Sequence, residues 1–180
     1  MMRLYAPGLS NVADGLDEGA DGSLIQAAAD LGAGLVGMSY FELVLSTSDT
    51  GLPPGDPSNY ILVNARGERF VREDERRAAL AEAVVRQPGG MAWMVSASPK
   101  GATIEPSTDF RRRVLTTLAV YNACVRTGAR DPFGRDSRVM KTIGPSARIT
   151  PVRPRLLWSY GGVEINERAE VIDRRGHPMP

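Results

Sequence analysis

The run Ile61-Leu62-Val63-Asn64-Ala65-Arg66-Gly67-Glu68-Arg69-Phe70-Val71 leaves the chain few options. Apolar β-formers, a turn-forming asparagine, an Arg-Gly pair and a second short apolar run predict a strand, a tight turn at Arg66-Gly67 and a second short strand. Arg72-Glu73-Asp74-Glu75-Arg76-Arg77 then leads into a helix expected from about Asp74 to Arg86, its acids first. Leu80, Ala81 and Val84 form its apolar stripe, and Arg77 falls on the same face; Glu75, Glu82 and Arg86 share the opposite, solvated one. Pro88-Gly89-Gly90 ends the helix. A cation in phase with an apolar stripe is aimed at a cleft, which singles out Arg77 over Arg76. The bland alternative is that both arginines pair with Glu73 and Glu82 in solvent.

Composition narrows the chemistry. The 180 residues are 42% hydrophobic and 24% charged, enough for one domain with a real core, or one domain and part of another. A net charge of +1 argues against a phosphate-tracking surface, so no nucleic acid is expected. Cys124 and His177 are each the sole residue of their type, which excludes an internal disulfide, a cysteine- or histidine-rich metal site and a Ser-His-Asp triad; no metal is expected. No apolar run is long enough for a membrane span and no signal segment is evident, giving a cytoplasmic expectation.

Along the chain, residues 8–22 read as loop, and Leu24–Leu31 as a short helix capped by Asp21 or Ser23 and closed at Gly32. Residues 34–45 are β-compatible, 46–59 a loop, 91–96 a buried strand and 97–107 a loop. A helix starting at Ser107 or Thr108 has its apolar side at Leu115, Leu118, Ala119, Asn122 and Ala123, with Phe110 and Val114 a turn earlier, and ends at Thr127-Gly128. Prolines in 145–158 suggest an edge strand. Residues 161–166 and 169–173 alternate about a turn at Glu167-Arg168, a hairpin signal.

Several of these pieces, in order, resemble one family. Asp21-Gly22 with its helix and Leu35-Val36-Gly37-Met38, the ILVN-to-Arg77 segment, Tyr121-Asn122-Ala123-Cys124 with Gly128, Asp131 and Phe133-Gly134-Arg135, Gly144-Pro145 through Val152-Arg153-Pro154, and Ser159-Tyr160-Gly161-Gly162-Val163-Glu164-Ile165-Asn166 with Ala169-Glu170-Val171 are similar to the fumarate reductase and succinate dehydrogenase flavoproteins. The resemblance implies an α+β fold: a capping domain over 46–145, with 1–45 and 146–180 as edges of an FAD-binding domain. It implies FAD as cofactor, contacted near Asp21, Gly161 and Gly162, and oxidoreduction at a carbon–carbon bond with Arg77 supplying the proton. A guanidinium is a poor acid, so that role calls for a carboxylate relay from Glu73, Asp74 or Glu75.

The departures are as informative. The family's strand–GxGxxG–helix unit, which holds the FAD pyrophosphate, has no counterpart here, so the chain is expected to be the middle of a larger flavoprotein, inactive and unable to hold FAD stably alone. The family's two substrate-binding histidines would fall near Val44-Leu45-Ser46 and at Leu157 or Trp158, and Pro57-Ser58-Asn59-Tyr60 replaces its Thr-Glu-x-x-Arg-Gly segment. Apolar side chains cannot bind carboxylates, so the substrate is expected to be an apolar or ketone-bearing small molecule rather than a C4 dicarboxylate. That resembles the ketosteroid dehydrogenase branch, where a tyrosine handles the ketone; Tyr160, then Tyr40, are the candidates. The alternative class is a non-catalytic cap-like module that binds a ligand or partner. Edges left by missing strands make self-association plausible.

Overall fold

The computed structural model describes residues 5–9, 12–14, 19–47, 55–97, 107–144 and 146–180. The loops expected at 8–22, 46–59 and 97–107 lie partly outside the described residues. The chain divides into two units, one of residues 1–42 and 156–180, the other of residues 43–155. Helices and small antiparallel sheets are mixed, as an α+β fold requires. In chain order the elements are β1 (Ala13–Asp14), α1 (Ser23–Asp30), β2 (Leu35–Val36), β3 (Phe41–Thr47), β4 (Tyr60–Val63), α2 (Arg77–Val85), β5 (Ala92–Ser96), α3 (Thr108–Thr127), β6 (Arg148–Ser159) and β7 (Gly162–Val163). The boundaries between the units fall inside β3 and β6.

The larger unit is built on the antiparallel order β6-β5-β4. Tyr60 pairs with Ser96 and Val63 with Trp93; on the other side of β5, Ala92 pairs with Val152 and Ser96 with Arg148. Strand β3 pairs with β6 as well, so β6 is not the edge strand its prolines suggested. Pro151 stands opposite Trp93 inside the ladder; a proline removes one donor, and the remaining pairs keep the strand in place.

Helix α3 packs across this sheet. Ser107 caps it, its Oγ accepting the Phe110 N–H at 3.3 Å, and Gly128 (φ 68°) ends it in the left-handed conformation. Phe110, Val114, Leu118 and Tyr121 are its buried face, packed with Ile61, Val63, Val95, Ile143 and Ile149. Of the expected face, Phe110, Val114 and Leu118 are buried, whereas Leu115 is 38% exposed and Ala119 and Ala123 also face outward. Tyr121 completes the buried face, because its hydroxyl finds the Lys141 carbonyl at 3.0 Å and its ring can then be buried.

The turn after β4 docks on this helix. Asn64 Oδ1 accepts the N–H groups of Arg66 and Glu68, and Thr117 Oγ1 donates to the Gly67 carbonyl at 2.6 Å. Gly67 (φ 77°) is needed twice over: a Cβ there would lie 2.9 Å from Arg113 Cβ and 3.1 Å from the Val114 nitrogen. Beyond the turn only Arg69 bridges back, to Val63, so the expected second strand is a single bridge. Helix α2 starts at Arg77, not Asp74, because Glu73 is drawn inward and Asp74 is tied to Arg72 before the helix begins. Its Leu80, Ala81 and Val84 are buried as the stripe requires.

In the smaller unit, Gly22 (φ 80°) precedes α1 and the Asp21 carboxylate accepts the Ser23 N–H at 2.8 Å. Strand β2 pairs with β7, Leu35 opposite Val163 and Val36 opposite Gly162. The terminal segment repeats the Asn64 turn twice. Asn166 Oδ1 accepts from Arg168 and Glu170, and Asp173 Oδ1 from Arg175 and His177, with bridges Ile165–Val171 and Ile172–Pro178 closing the two loops. The fourth position is Gly67, Ala169 and Gly176, all at positive φ; Ala169 (61°) is the one that carries a Cβ. Ala169→Gly is therefore expected to stabilise the protein by about 0.5–1 kcal/mol, the relief of left-handed strain less the added chain entropy. A lowered thermal midpoint in calorimetry would count against this reading.

Candidate functional site

Within the larger unit, a cleft of about 250 Å³ opens beside the start of α2. Its walls include Val44 and Leu45 of β3, Pro57, Tyr60 of β4, Asp74 and Glu75, and Arg77 and Leu80 of α2. Arg77 and the apolar pair Val44-Leu45, which stands where a histidine was expected from the resemblance, thus share one cavity. The sequence pattern predicted a cleft position for Arg77, and the residue lines it while remaining exposed.

What surrounds Arg77 differs from expectation. Glu82 pairs with Arg86, Glu73 with Arg69 and Arg135, and Asp74 and Glu75 with Arg72, at 2.7 and 4.0 Å. Among the described residues no carboxylate pairs with Arg77. Arg76 at the helix N-cap makes no side-chain capping bond, and the first turn contains no acid. A cation at the positive end of a helix costs a few tenths of a kcal/mol or more, the opposite of a stability-driven choice.

Glu73, one of the three candidate relay carboxylates, pairs with other arginines. Its side chain is fully buried: Oε1 accepts from the Leu62 N–H (3.1 Å) and Arg69 Nε (2.9 Å), and Oε2 from Arg69 Nη2 (2.7 Å) and Arg135 Nη1 (2.9 Å). All its acceptor capacity is used. Asp131, equally buried, takes Arg69 Nη1 at 2.5 Å and the N–H groups of Phe133 and Arg135. The Arg69 guanidinium lies between the rings of Tyr121 (5.3 Å) and Phe133 (4.7 Å). Burial opposes the Asp131 charge, yet the hydrogen bonds and charge of Arg69 and the two amides hold its carboxyl below the usual carboxylate range. Burial likewise works against the Arg69 cation, and Glu73 and Asp131 overcome it. Two cations and two anions, all buried, brace the segment that ends at Arg77. Sequence reasoning missed this role for Arg69, Asp131 and Arg135; the only available signal was that all three fall inside the motifs that carry the resemblance.

Tyr60 is 4% exposed and also lines the cleft. Burial first, and then the Glu73 charge, push its phenol up to about 12, so it keeps its proton at neutral pH.

The other expected site residues, Asp21, Tyr160, Gly161 and Gly162, belong to the smaller unit. Asp21 is exposed, and its hydrogen bonds from Ser23 hold its carboxyl below the usual range. Tyr160 is 63% exposed; its hydroxyl donates to Glu42, its N–H donates to the Tyr40 carbonyl at 2.9 Å, and Trp158 stands edge-on to its ring at 6.4 Å. Gly161 is fixed by packing, since a Cβ there would lie 2.6 Å from Met38 Cα. Gly162 has nothing within 4 Å of the place a Cβ would take, which leaves its backbone open to close approach by a flat group. Among the described residues, no cluster of histidine, cysteine, aspartate and glutamate is arranged to hold a metal. No helix there is long and apolar enough to cross a membrane.

Residues 24–180 match the family described as FAD binding domain. The chain belongs to that family. FAD is the family's cofactor, and the fumarate-reductase-like resemblance read from the sequence holds. An NADH:acrylate oxidoreductase of Vibrio harveyi is 27% identical over 86% of this chain and 18% of its own length. Among solved structures, the open conformation of a flavocytochrome c3 fumarate reductase superposes with a TM-score of 0.74 at 23% identity, covering 98% of this chain and 36% of that one. A 3-ketosteroid-Δ4-(5α)-dehydrogenase from Rhodococcus jostii RHA1 gives 0.60 at 22%, covering 99% and 41%. The chain thus spans less than half the length of each of these proteins.

Proposed function

We propose that this chain is the capping domain of a larger FAD-dependent oxidoreductase acting on a carbon–carbon bond, together with edge pieces of the FAD-binding domain. The cap comprises residues 46–145 and the edges residues 1–45 and 146–180. Support comes from family membership, from the division of the chain into a unit of its middle and a unit of its two ends, and from the fraction of its relatives' length that it spans. FAD, when bound, supplies or accepts the hydride at one carbon. The residues here would handle the rest: Arg77 holds the substrate oxygen and delivers the proton to the adjacent carbon, recovering it from solvent at its exposed position, with Tyr160 as the second candidate for that proton, and Asp21 and the Gly161-Gly162 backbone approach the cofactor.

The observation that carries the reading is an arginine without a carboxylate partner among the described residues, in a cleft whose other walls are apolar at Val44, Leu45, Pro57 and Leu80 and polar at Tyr60, Glu73, Asp74 and Glu75. One such cation, with apolar walls and the Asp74 and Glu75 carboxylates around it, suits a substrate with one polar end, such as an apolar 2-enoate or an enone; a second carboxylate would meet apolar wall or like charge. The test uses the intact flavoprotein that contains this chain, with its flavin reduced anaerobically and reoxidation followed by absorbance. An apolar 2-enoate or an enone is expected to reoxidise it at least about tenfold faster than fumarate, a difference of ~1.4 kcal/mol in barrier. Faster reoxidation by fumarate would sink the substrate assignment.

A further inference from the structure

Strand β4 sends Ile61 and Val63 into the core, whereas Tyr60 lies outside that cluster and lines the Arg77 cleft. The charged groups around its hydroxyl are Glu73, Asp74, Arg135 and Asp56. Each carboxylate among them is already engaged. Glu73 is saturated by Leu62, Arg69 and Arg135; Asp74 is held by both Arg72 nitrogens; Asp56 accepts the Ser58 N–H and hydroxyl at 2.9 and 2.7 Å. None of them is hydrogen-bonded to the Tyr60 hydroxyl. The Tyr60 ring is buried while its residue lines the cleft, and a phenol that keeps its proton has a donor to offer there. The cleft therefore presents two donors without a carboxylate partner among the described residues, a guanidinium and a neutral O–H, between the apolar Val44, Leu45 and Leu80 and the Arg72-bound Asp74 and Glu75.

We propose that the Tyr60 hydroxyl and the Arg77 guanidinium together bind one conjugated oxygen of the ligand, either of a carboxylate or of a ketone, with the ligand's hydrocarbon against Val44, Leu45 and Leu80. Tyr60 thereby determines specificity: it takes over polar recognition that Val44 and Leu45 cannot provide. This rests on the reading of the Arg77 cleft as the substrate site. It predicts that the tyrosine matters most for a neutral ketone, which gains little from a charge, and the arginine most for a carboxylate.

The test is a titration of the intact flavoprotein that contains this chain with trans-cinnamate and with 4-phenylbut-3-en-2-one, which share a skeleton and differ in carboxylate against ketone. Binding is followed by titration calorimetry of the oxidised protein, and circular dichroism with the thermal midpoint reports the fold of each variant. Tyr60→Phe, which removes only the oxygen, is expected to weaken ketone binding by about fivefold to tenfold, the worth of one hydrogen bond. Arg77→Gln is expected to weaken cinnamate by a larger factor than the ketone. If Arg77→Gln weakens binding and Tyr60→Phe leaves both ligands unchanged, the Tyr60 proposal is overturned while the cleft stands. If wild type binds neither probe, or Arg77→Gln binds both as well as wild type, the cleft reading falls and takes the proposal with it.

Discussion

Glu73→Gln is expected to destabilise the larger unit by about 3–5 kcal/mol, the usual cost of stripping one partner from a buried ion pair. The carboxylate has no exposed side-chain surface and accepts four hydrogen bonds, three of them from guanidinium groups. Glutamine has the same shape but only one oxygen, and its amide would point N–H groups at Arg69 or Arg135. Arg69 would keep Asp131; Arg135 would be left with the carbonyls of Pro57 (2.8 Å) and Tyr60 (3.4 Å), and its Nε already has no partner. Urea unfolding with an unchanged m-value measures this directly. A loss below about 1 kcal/mol, the range of exposed pairs, would mean that the cluster is solvated in solution. The consequence reaches function, because Glu73 anchors to the Leu62 amide the stretch that carries Arg77 into the cleft.

Arg77→Gln should do the reverse. Turnover of the intact flavoprotein is expected to fall by about 10²–10⁴-fold, the range for loss of a positioned proton donor. Folding stability should change by less than about 0.5 kcal/mol, because the side chain is exposed and makes no ion pair among the described residues. Removing a cation from the positive end of α2 works slightly in the fold's favour. Arg76→Gln is the control: it has the same helix end and the same charge change, yet Arg76 does not line the cleft. Anaerobic rates for the three proteins decide the matter. If the Arg76 and Arg77 variants lose activity equally, the effect is one of local charge, and Arg77 has no special role in proton delivery.

Local patterns were legible where the deciding forces are local. The turn at Arg66-Gly67, the cap at Ser107, the stop at Gly128 and the Leu80–Val84 stripe each depend on a few neighbouring residues. The face of α3 was read correctly at Phe110, Val114 and Leu118 but missed Tyr121, which counts as apolar only when the Lys141 carbonyl, twenty residues on, takes its hydroxyl. The start of α2 was misread for a related reason. Glu73 and Asp74 look like N-terminal helix acids, but stronger partners claim them first.

The sequence by itself determined the elements, the family and the candidate arginine, since those follow from periodicity, turn chemistry and ordered motifs. Only the tertiary structure decided which charges are committed and which are free. Arg69 and Asp131 are 62 residues apart in the chain, as are Glu73 and Arg135, and nothing local distinguishes such buried pairs from solvated ones. Packing brings them together, and the low polarity of the interior forces each to be neutralised. Those pairings leave Arg77 without a carboxylate partner among the described residues, in a cleft that Tyr60 also lines.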